Sequence, residues 1–220
     1  MTRQEISTYI NNAVLMNKLV TKEEAKDILD VDMPEDTLVK SELLSHLISS
    51  IQIDDAFFKK VENHIILVYF RPCYKKIDLK NSVDIIGDYA FFSNQIIEEV
   101  YGSTVIKIGH GGFFLCHNLK KVVFPNVHAV DETGFTSCDN LVYVVMKPRI
   151  IGRHAFRDCC KLRKFDFSNV EFIGFLCFAN AGIERVIAPK LTHIEECAFS
   201  QCKLKMVYVP KLSVNKLISR

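Results

Sequence analysis

The sequence has no excess of charge of either sign. Its 28 lysines and arginines stand against 26 aspartates and glutamates, a formal net charge of +2. That balance argues for neither a dedicated nucleic-acid binder nor an acidic tail. Long apolar runs are also missing. None is longer than Ile65 to Phe70, far short of the roughly 20 residues that cross a bilayer as a helix. Met1 to Ser7 begin a polar, periodic segment, with no apolar stretch or small-residue cleavage site of the secretory kind. The expectation is a soluble protein, cytoplasmic or otherwise intracellular, with no membrane span.

Catalytic and metal-binding motifs are equally scarce. No C-x-x-C pair, G-x-S-x-G or H-E-x-x-H occurs. Cys159-Cys160 with His154, and Cys116-His117 with His110, hold metal-capable side chains, but buried packing explains the cysteines better than zinc does. The cluster Gly109-His110-Gly111-Gly112 has neither a G-K-[ST] ending nor a helix pattern after it, so a turn is favoured over a phosphate loop. Asp84, Asp131 and Glu195 stand far apart, each without a second carboxylate at matching spacing, which leaves general acid/base chemistry unsupported. The expectation is a protein that is not an enzyme and uses no cofactor or metal.

What the chain does have is a repeat. Tryptophan is absent, and the aromatic content rests largely on sixteen phenylalanines. Six of these, Phe91, Phe113, Phe135, Phe156, Phe178 and Phe199, follow one another at spacings of 22, 22, 21, 22 and 21 residues. Each is preceded by a small residue (Ala90, Gly112, Gly134, Ala155, Cys177, Ala198). Five positions before each Phe stands a β-branched aliphatic residue, from Ile86 to Ile194. Three positions after it come Asn94, Cys116, Cys138, Cys159, Ala181 and Cys202. Leucine-like residues (Ile97, Leu119, Leu141, Leu162, Ile183, Leu204) and strand residues (Val100, Val122, Val144, Phe165, Val186, Val207) complete the unit. A period of 20 to 29 residues carrying L-x-x-L-x-L lies in the range of leucine-rich repeats. Four of the eight cysteines share one column, which speaks for packing and free thiols rather than a disulfide framework.

The unit V-x-x-I-G-x-x-A-F-x-x-C-x-x-L-x-x-V-x-x-P resembles the BspA-type leucine-rich repeat, most fully from Val105 to Pro125. The resemblance spans about residues 70–212, with Asp131 and Glu195 at the glycine position, Asn94 and Ala181 at the cysteine and Ser168 at the proline. It implies a mainly β repeat solenoid with parallel strands and tight turns, its core formed by stacked coils. The glycine is expected to turn the chain through positive φ, and the proline to end the strand. The family includes surface proteins with adhesive roles, so a surface adhesin or antigen is one implied function.

The division expected is residues 1–63 as an N-terminal α-helical cap or small helical domain, 64–212 as the solenoid, and 213–220 as a C-terminal tail. The solenoid opens with a degenerate half-repeat at 70–82, followed by six repeats. Apolar spacing predicts a helix over Arg3 to Leu19, and Thr21 with Glu24 has the form of a capping box for a second, reaching about Leu29. A turn at Asp32 to Asp36 leads to a third helix with the stripe Leu38, Leu43, Leu44, Leu47, Ile48 and Ile51. Asp54-Asp55 suggest a fourth over Ala56 to Val61. The tail offers only Leu212, Val214, Leu217 and Ile218 to cover the last coil, so self-association through that end is a further expectation.

Alternation along each strand turns two columns outward. One holds Glu99, Lys121, Tyr143, Lys164, Arg185 and Met206; the other holds Tyr101, Val123, Val145, Asp166, Ile187 and Tyr208. The second is apolar and aromatic for a solvated face, and solenoids use extended surfaces of this kind for binding. Cross-strand ladders that stabilise the sheet are the competing explanation. The leading expectation is a non-catalytic protein-protein interaction module. From another class, Lys121, Lys164 and Arg185 on one face keep a nucleic-acid-binding alternative open.

Overall fold

The computed structural model describes residues 2–16, 18–32 and 37–212. Three helices come first: α1 (Arg3–Leu15), α2 (Lys22–Asp32) and α3 (Thr37–Leu47). An antiparallel meander follows: β1 (Ile51–Ile53), β2 (Ala56–Val61) and β3 (His64–Phe70). The coils then contribute β4 (Lys76–Asp78), β5 (Ile85–Ile86), β6 (Glu99–Tyr101), β7 (Lys107–Ile108), β8 (Lys121–Val123) and β9 (Ala129–Val130). The later coils add β10 (Tyr143–Val145), β11 (Ile150–Ile151), β12 (Phe172–Ile173), β13 (Arg185–Ile187), β14 (His193–Ile194) and β15 (Met206–Tyr208).

Both extended pieces of the repeats build sheet, one on either side of the coils, except the second piece of the fourth repeat. The first pieces continue the meander into a nine-stranded sheet in the order β1-β2-β3-β5-β7-β9-β11-β12-β14. The second pieces form a four-stranded parallel sheet, β10-β8-β6-β4, and a separate two-stranded one, β13-β15. Between the sheets the six phenylalanine rings stack in one file, with centroids 4.7, 4.9, 5.0, 5.2 and 5.3 Å apart and planes within 9° of parallel. That spacing is close to the roughly 4.8 Å between hydrogen-bonded strands, so one rise per coil satisfies ladder and rings together. Phe70 extends the file by one ring, 5.4 Å from Phe91.

The turns differ from expectation in one respect. The repeated glycines at the ends of β5, β7, β11 and β12 are not where the chain goes left-handed. A Cβ on Gly152 would lie 2.8 Å from backbone atoms of both Asp131 and Glu132, so glycine permits close approach of the preceding coil. Positive φ falls two residues later, at Tyr89, Gly111, Thr133, His154, Leu176 and Cys197. It recurs at Ser93, Leu115, Ser137, Asp158, Asn180 and Gln201. All but one of these are not glycine, and as far as Leu176 and Asn180 the amides of both columns donate to the next coil, as in Tyr89 N to His110 O (2.8 Å) and Ser93 N to Phe114 O (2.8 Å). Those bonds hold a backbone that costs an L residue about 1–2 kcal/mol.

The N-terminal region corrects two further expectations. Ala56 to Val61 is strand β2, not a fourth helix. Asp54-Asp55 form the two-residue turn of a hairpin, with Ile53 opposite Ala56 and Asp54 at φ 53°. Val61 stands opposite His64 across a second two-residue turn. The first helix ends at Leu15 rather than Leu19, because the chain turns back there and Val20 exchanges backbone bonds with Ser49 and Ser50. Capping boxes close both helix starts: Thr2 with Glu5, and Thr21 with Glu24. The expected turn at 32–36 and the covering tail at 213–220 lie outside the described residues, apart from Asp32 at the end of α2.

Among the described residues, α1 is the helix that enters the main core, through Ile6 and Ile10. Arg3 ties it to the first coil by pairing with Asp84, a largely buried carboxylate that also accepts the amide of Ile65 at 2.7 Å. Helices α2 and α3 build a second cluster, in which Ala25, Leu29, Leu43 and Leu47 meet Phe57, Val68 and Tyr69 on the outer face of the meander. The meander is thus apolar on both faces, with Phe58, Ile65 and Leu67 turned to the main core.

Candidate functional site

The register of the strand sheets places ten of the twelve outward residues in ladders. Tyr143, Lys121 and Glu99 stand side by side, as do Val145, Val123 and Tyr101. In the shorter sheet Arg185 pairs with Met206 and Ile187 with Tyr208. Lys164 and Asp166 are the exceptions. Their segment is not a strand, and the face is interrupted there. The cause is Phe165 at the valine position: its ring packs edge-on against Phe156 at 5.1 Å and Phe178 at 5.4 Å. A ring of that size needs more depth than valine, which accounts for a segment without ladder pairing to its neighbours. Asp166 accepts the Ser168 amide at 2.9 Å in the turn that follows.

The two halves of the face differ in chemistry. In the N-terminal half the side chains satisfy one another. The Tyr101 hydroxyl donates to Glu99 Oε2 at 2.6 Å and holds that carboxyl below the usual carboxylate range. The Lys121 ammonium lies 5.2 Å from the Tyr101 ring centroid and 5.0 Å from that of Tyr143, and the Tyr101 hydroxyl raises its pKa. Lys76, which was not singled out in the sequence, extends the row at 5.0 Å from Tyr101 and 3.6 Å from Glu99. Ladders of this kind stabilise a sheet by about 0.2–1 kcal/mol per pair.

The C-terminal half is less paired and more apolar. Ile187, Met206 and Tyr208 are exposed by 46%, 47% and 54%. Val207 belongs to the inward column, yet it is 42% exposed where Val122 is fully buried. Arg185 Nη2 reaches Met206 Sδ at 3.1 Å across these strands, and just before them Lys205 Nζ pairs with Glu184 Oε2 at 2.8 Å. Lys121, Lys164 and Arg185 are not brought onto one ladder: β8 and β13 belong to different sheets, and Lys164 lies between them.

The cysteine column is structural. Cys116, Cys138, Cys159 and Cys202 donate their thiols to the carbonyls of Phe91, Phe113, Phe135 and Phe178 at 2.9, 3.1, 3.1 and 3.0 Å. Burial pushes the Cys116 thiol up to about 12 and that of Cys202 up to about 11, so neither is a nucleophile near neutrality. His117 Nδ1 contacts Asp139 Oδ2 at 2.8 Å. Among the described residues no group of three or more metal-capable side chains is gathered, and no helix is long and apolar enough to cross a membrane.

Comparison with known proteins agrees with the coil geometry. The family model of the BspA type leucine rich repeat region matches residues 48–159 and 149–219, in six copies. No curated protein matches the sequence. Among solved structures, pneumococcal vaccine antigen PcpA is similar with a TM-score of 0.58 at 20% identity, over 74% of this chain and 50% of its own. A leucine rich cell surface protein from Faecalibacterium prausnitzii gives 0.55 at 18%, over 72% and 54%. The leucine rich repeat protein of T. pallidum gives 0.53 at 19%, over 73% and 71%. This chain therefore spans about half the length of the first two, and the likeness is one of fold.

Proposed function

The chain belongs to the BspA-type leucine-rich repeat family, and from that premise we propose that it is a non-catalytic module that binds another protein through the strand face of its coils. The observation that carries this reading is the contrast within the face. Where the outward residues could pair they have done so, and from Arg185 to Tyr208 apolar and aromatic side chains stand open to water. Tyrosine, methionine and arginine are enriched at interfaces. Binding then centres on Arg185, Ile187, Met206 and Tyr208, with Tyr143 as the exposed member of the neighbouring ladder.

The test is affinity purification from native cells with the wild-type protein and the variant Y143S/I187S/Y208S. Exposed positions of this kind change stability by about 0.5 kcal/mol or less, so the melting temperature is expected to hold while a specific partner is lost. Retention of that partner by the variant rules the face out.

A second reading, a surface adhesin or antigen, draws on family membership and on the fold shared with the F. prausnitzii cell surface protein and the pneumococcal vaccine antigen. Localisation separates it from an intracellular module. Protease treatment of intact cells removes the protein if it is displayed and spares it if it is internal.

A further inference from the structure

The two sheets stop at different levels at the N-terminal end of the solenoid. The nine-stranded sheet runs on past β5 through β3, β2 and β1, whereas the four-stranded sheet ends at β4. On its inner side β4 is committed to β6: Leu79 N donates to Tyr101 O at 2.8 Å, and Lys75 O accepts the amides of Glu98 and Glu99 at 2.7 and 2.9 Å. In a strand, successive residues turn their N–H and C=O groups to opposite sides. Lys76 and Asp78 therefore present theirs to the open edge, where no described strand pairs.

Beside that edge lies a cavity of about 660 Å³ whose apolar wall includes Phe58, Phe70 and Ile77 and whose rim carries Asp54, Asp55 and Asp78. The ion pairs of the described residues include none of these three carboxylates. Lys76, the cation within the rim, is turned to Glu99 and the Tyr101 ring. The cleft thus combines unpaired backbone, an apolar recess and a net negative border. A second coil is too wide to stack here, because on the opposite side the meander already fills the levels that a preceding coil would need. A single extended segment makes no such demand.

We propose that this cleft binds an extended, basic segment of a partner polypeptide. The segment adds as a strand to the open edge of β4, seats an apolar side chain in the cavity, and sets lysine or arginine against Asp54, Asp55 and Asp78. Strand addition draws affinity from main-chain bonds and specificity from alternate side chains. The site lies at the β4 edge of that sheet, away from Tyr143 and from the Arg185 to Tyr208 patch, and the Y143S/I187S/Y208S variant leaves it intact, so the two readings fail independently.

The probe is a fluorescein-labelled heptapeptide that alternates lysine with valine and leucine, titrated against the full chain by anisotropy at low ionic strength. Saturable binding is expected, weakened at least about tenfold by D54N/D55N/D78N. Asparagine tolerates the positive φ at position 54. An amide oxygen also replaces the acceptors that Asp55 offers to Tyr74 and Asp78 to the Lys80 amide, so the variant retains its fold. Two peptides N-methylated on alternate amides give a second measurement on the wild-type protein. Strand addition requires one pattern to abolish binding and the other to be tolerated. Equal binding by both patterns reduces the contact to charge attraction and overturns the proposal, as does the absence of saturable binding.

Discussion

Gly111 and Thr133 occupy the same turn position in successive coils, at φ 58° and 55°, and they respond oppositely to substitution. Threonine is β-branched and poorly suited to the left-handed region, so Thr133→Gly relieves strain and is expected to raise stability by up to about 1 kcal/mol. At position 111 glycine fits for a second reason. A Cβ there would lie 2.6 Å from both Cδ1 and Cε1 of Tyr89, a buried ring held in the α2–α3 cluster. Gly111→Ala is expected to cost about 1–3 kcal/mol. Urea denaturation of the pair checks both signs, and a loss on Thr133→Gly contradicts the account of strain. The phenylalanine file was legible from spacing alone because every ring needs the same chemistry. The left-handed columns were not. Their residues, from Tyr89 to Cys197, share no side-chain property, and from Tyr89 to Leu176 what marks them is a backbone bond to the next coil.

At the scale of the element, four coils are tied to the one before by a thiol as well as by strands, and that tie is sensitive to alkali. The column thiols are raised by burial, Cys116 to about 12 and Cys202 to about 11, against an ordinary value of 9.0. Cys138 and Cys159 move in the same direction. Below pH 9 both folded and unfolded chains keep these protons, and the contribution is intact. Between about 9 and 12 the unfolded chain releases protons that the folded one retains, so stability falls as pH rises. Urea midpoints at pH 8 and pH 10.5 are expected to show that fall, with a shallower one in C116A/C138A/C159A; equal slopes contradict it. Other elements resisted reading from sequence. Asp54-Asp55 can open a helix or turn a hairpin, and Ala56 to Val61 is apolar in a way that suits both. The second two-residue turn, Glu62-Asn63, is the feature that favours strands. The break in the strand face has a single-residue cause, Phe165 for valine, whose effect depends on depth and not on pattern.

For the molecule as a whole, the consequence of stacking is that stability is shared between neighbours and is smallest where a coil has only one. Phe135 lies between Phe113 at 4.9 Å and Phe156 at 5.0 Å, whereas among the described residues Phe199 stacks on Phe178 alone and meets Phe167 edge-on at 6.0 Å. Removing a ring at the middle leaves a cavity with coils on both sides, at a cost of about 3–5 kcal/mol. Removing the last one deprives only the terminal coil, whose strand β15 already exposes Val207. In an array of this kind the energy is a sum of unit and interface terms, and an end can open by itself. Hydrogen exchange read by mass spectrometry separates the cases. In Phe199→Ala, protection is expected to fall in β13, β14 and β15 and to persist in β5 to β10. In Phe135→Ala it is expected to fall along the whole solenoid. A uniform loss in Phe199→Ala means that the coils open together, and that the exposed C-terminal half of the strand face is held as firmly as the paired half.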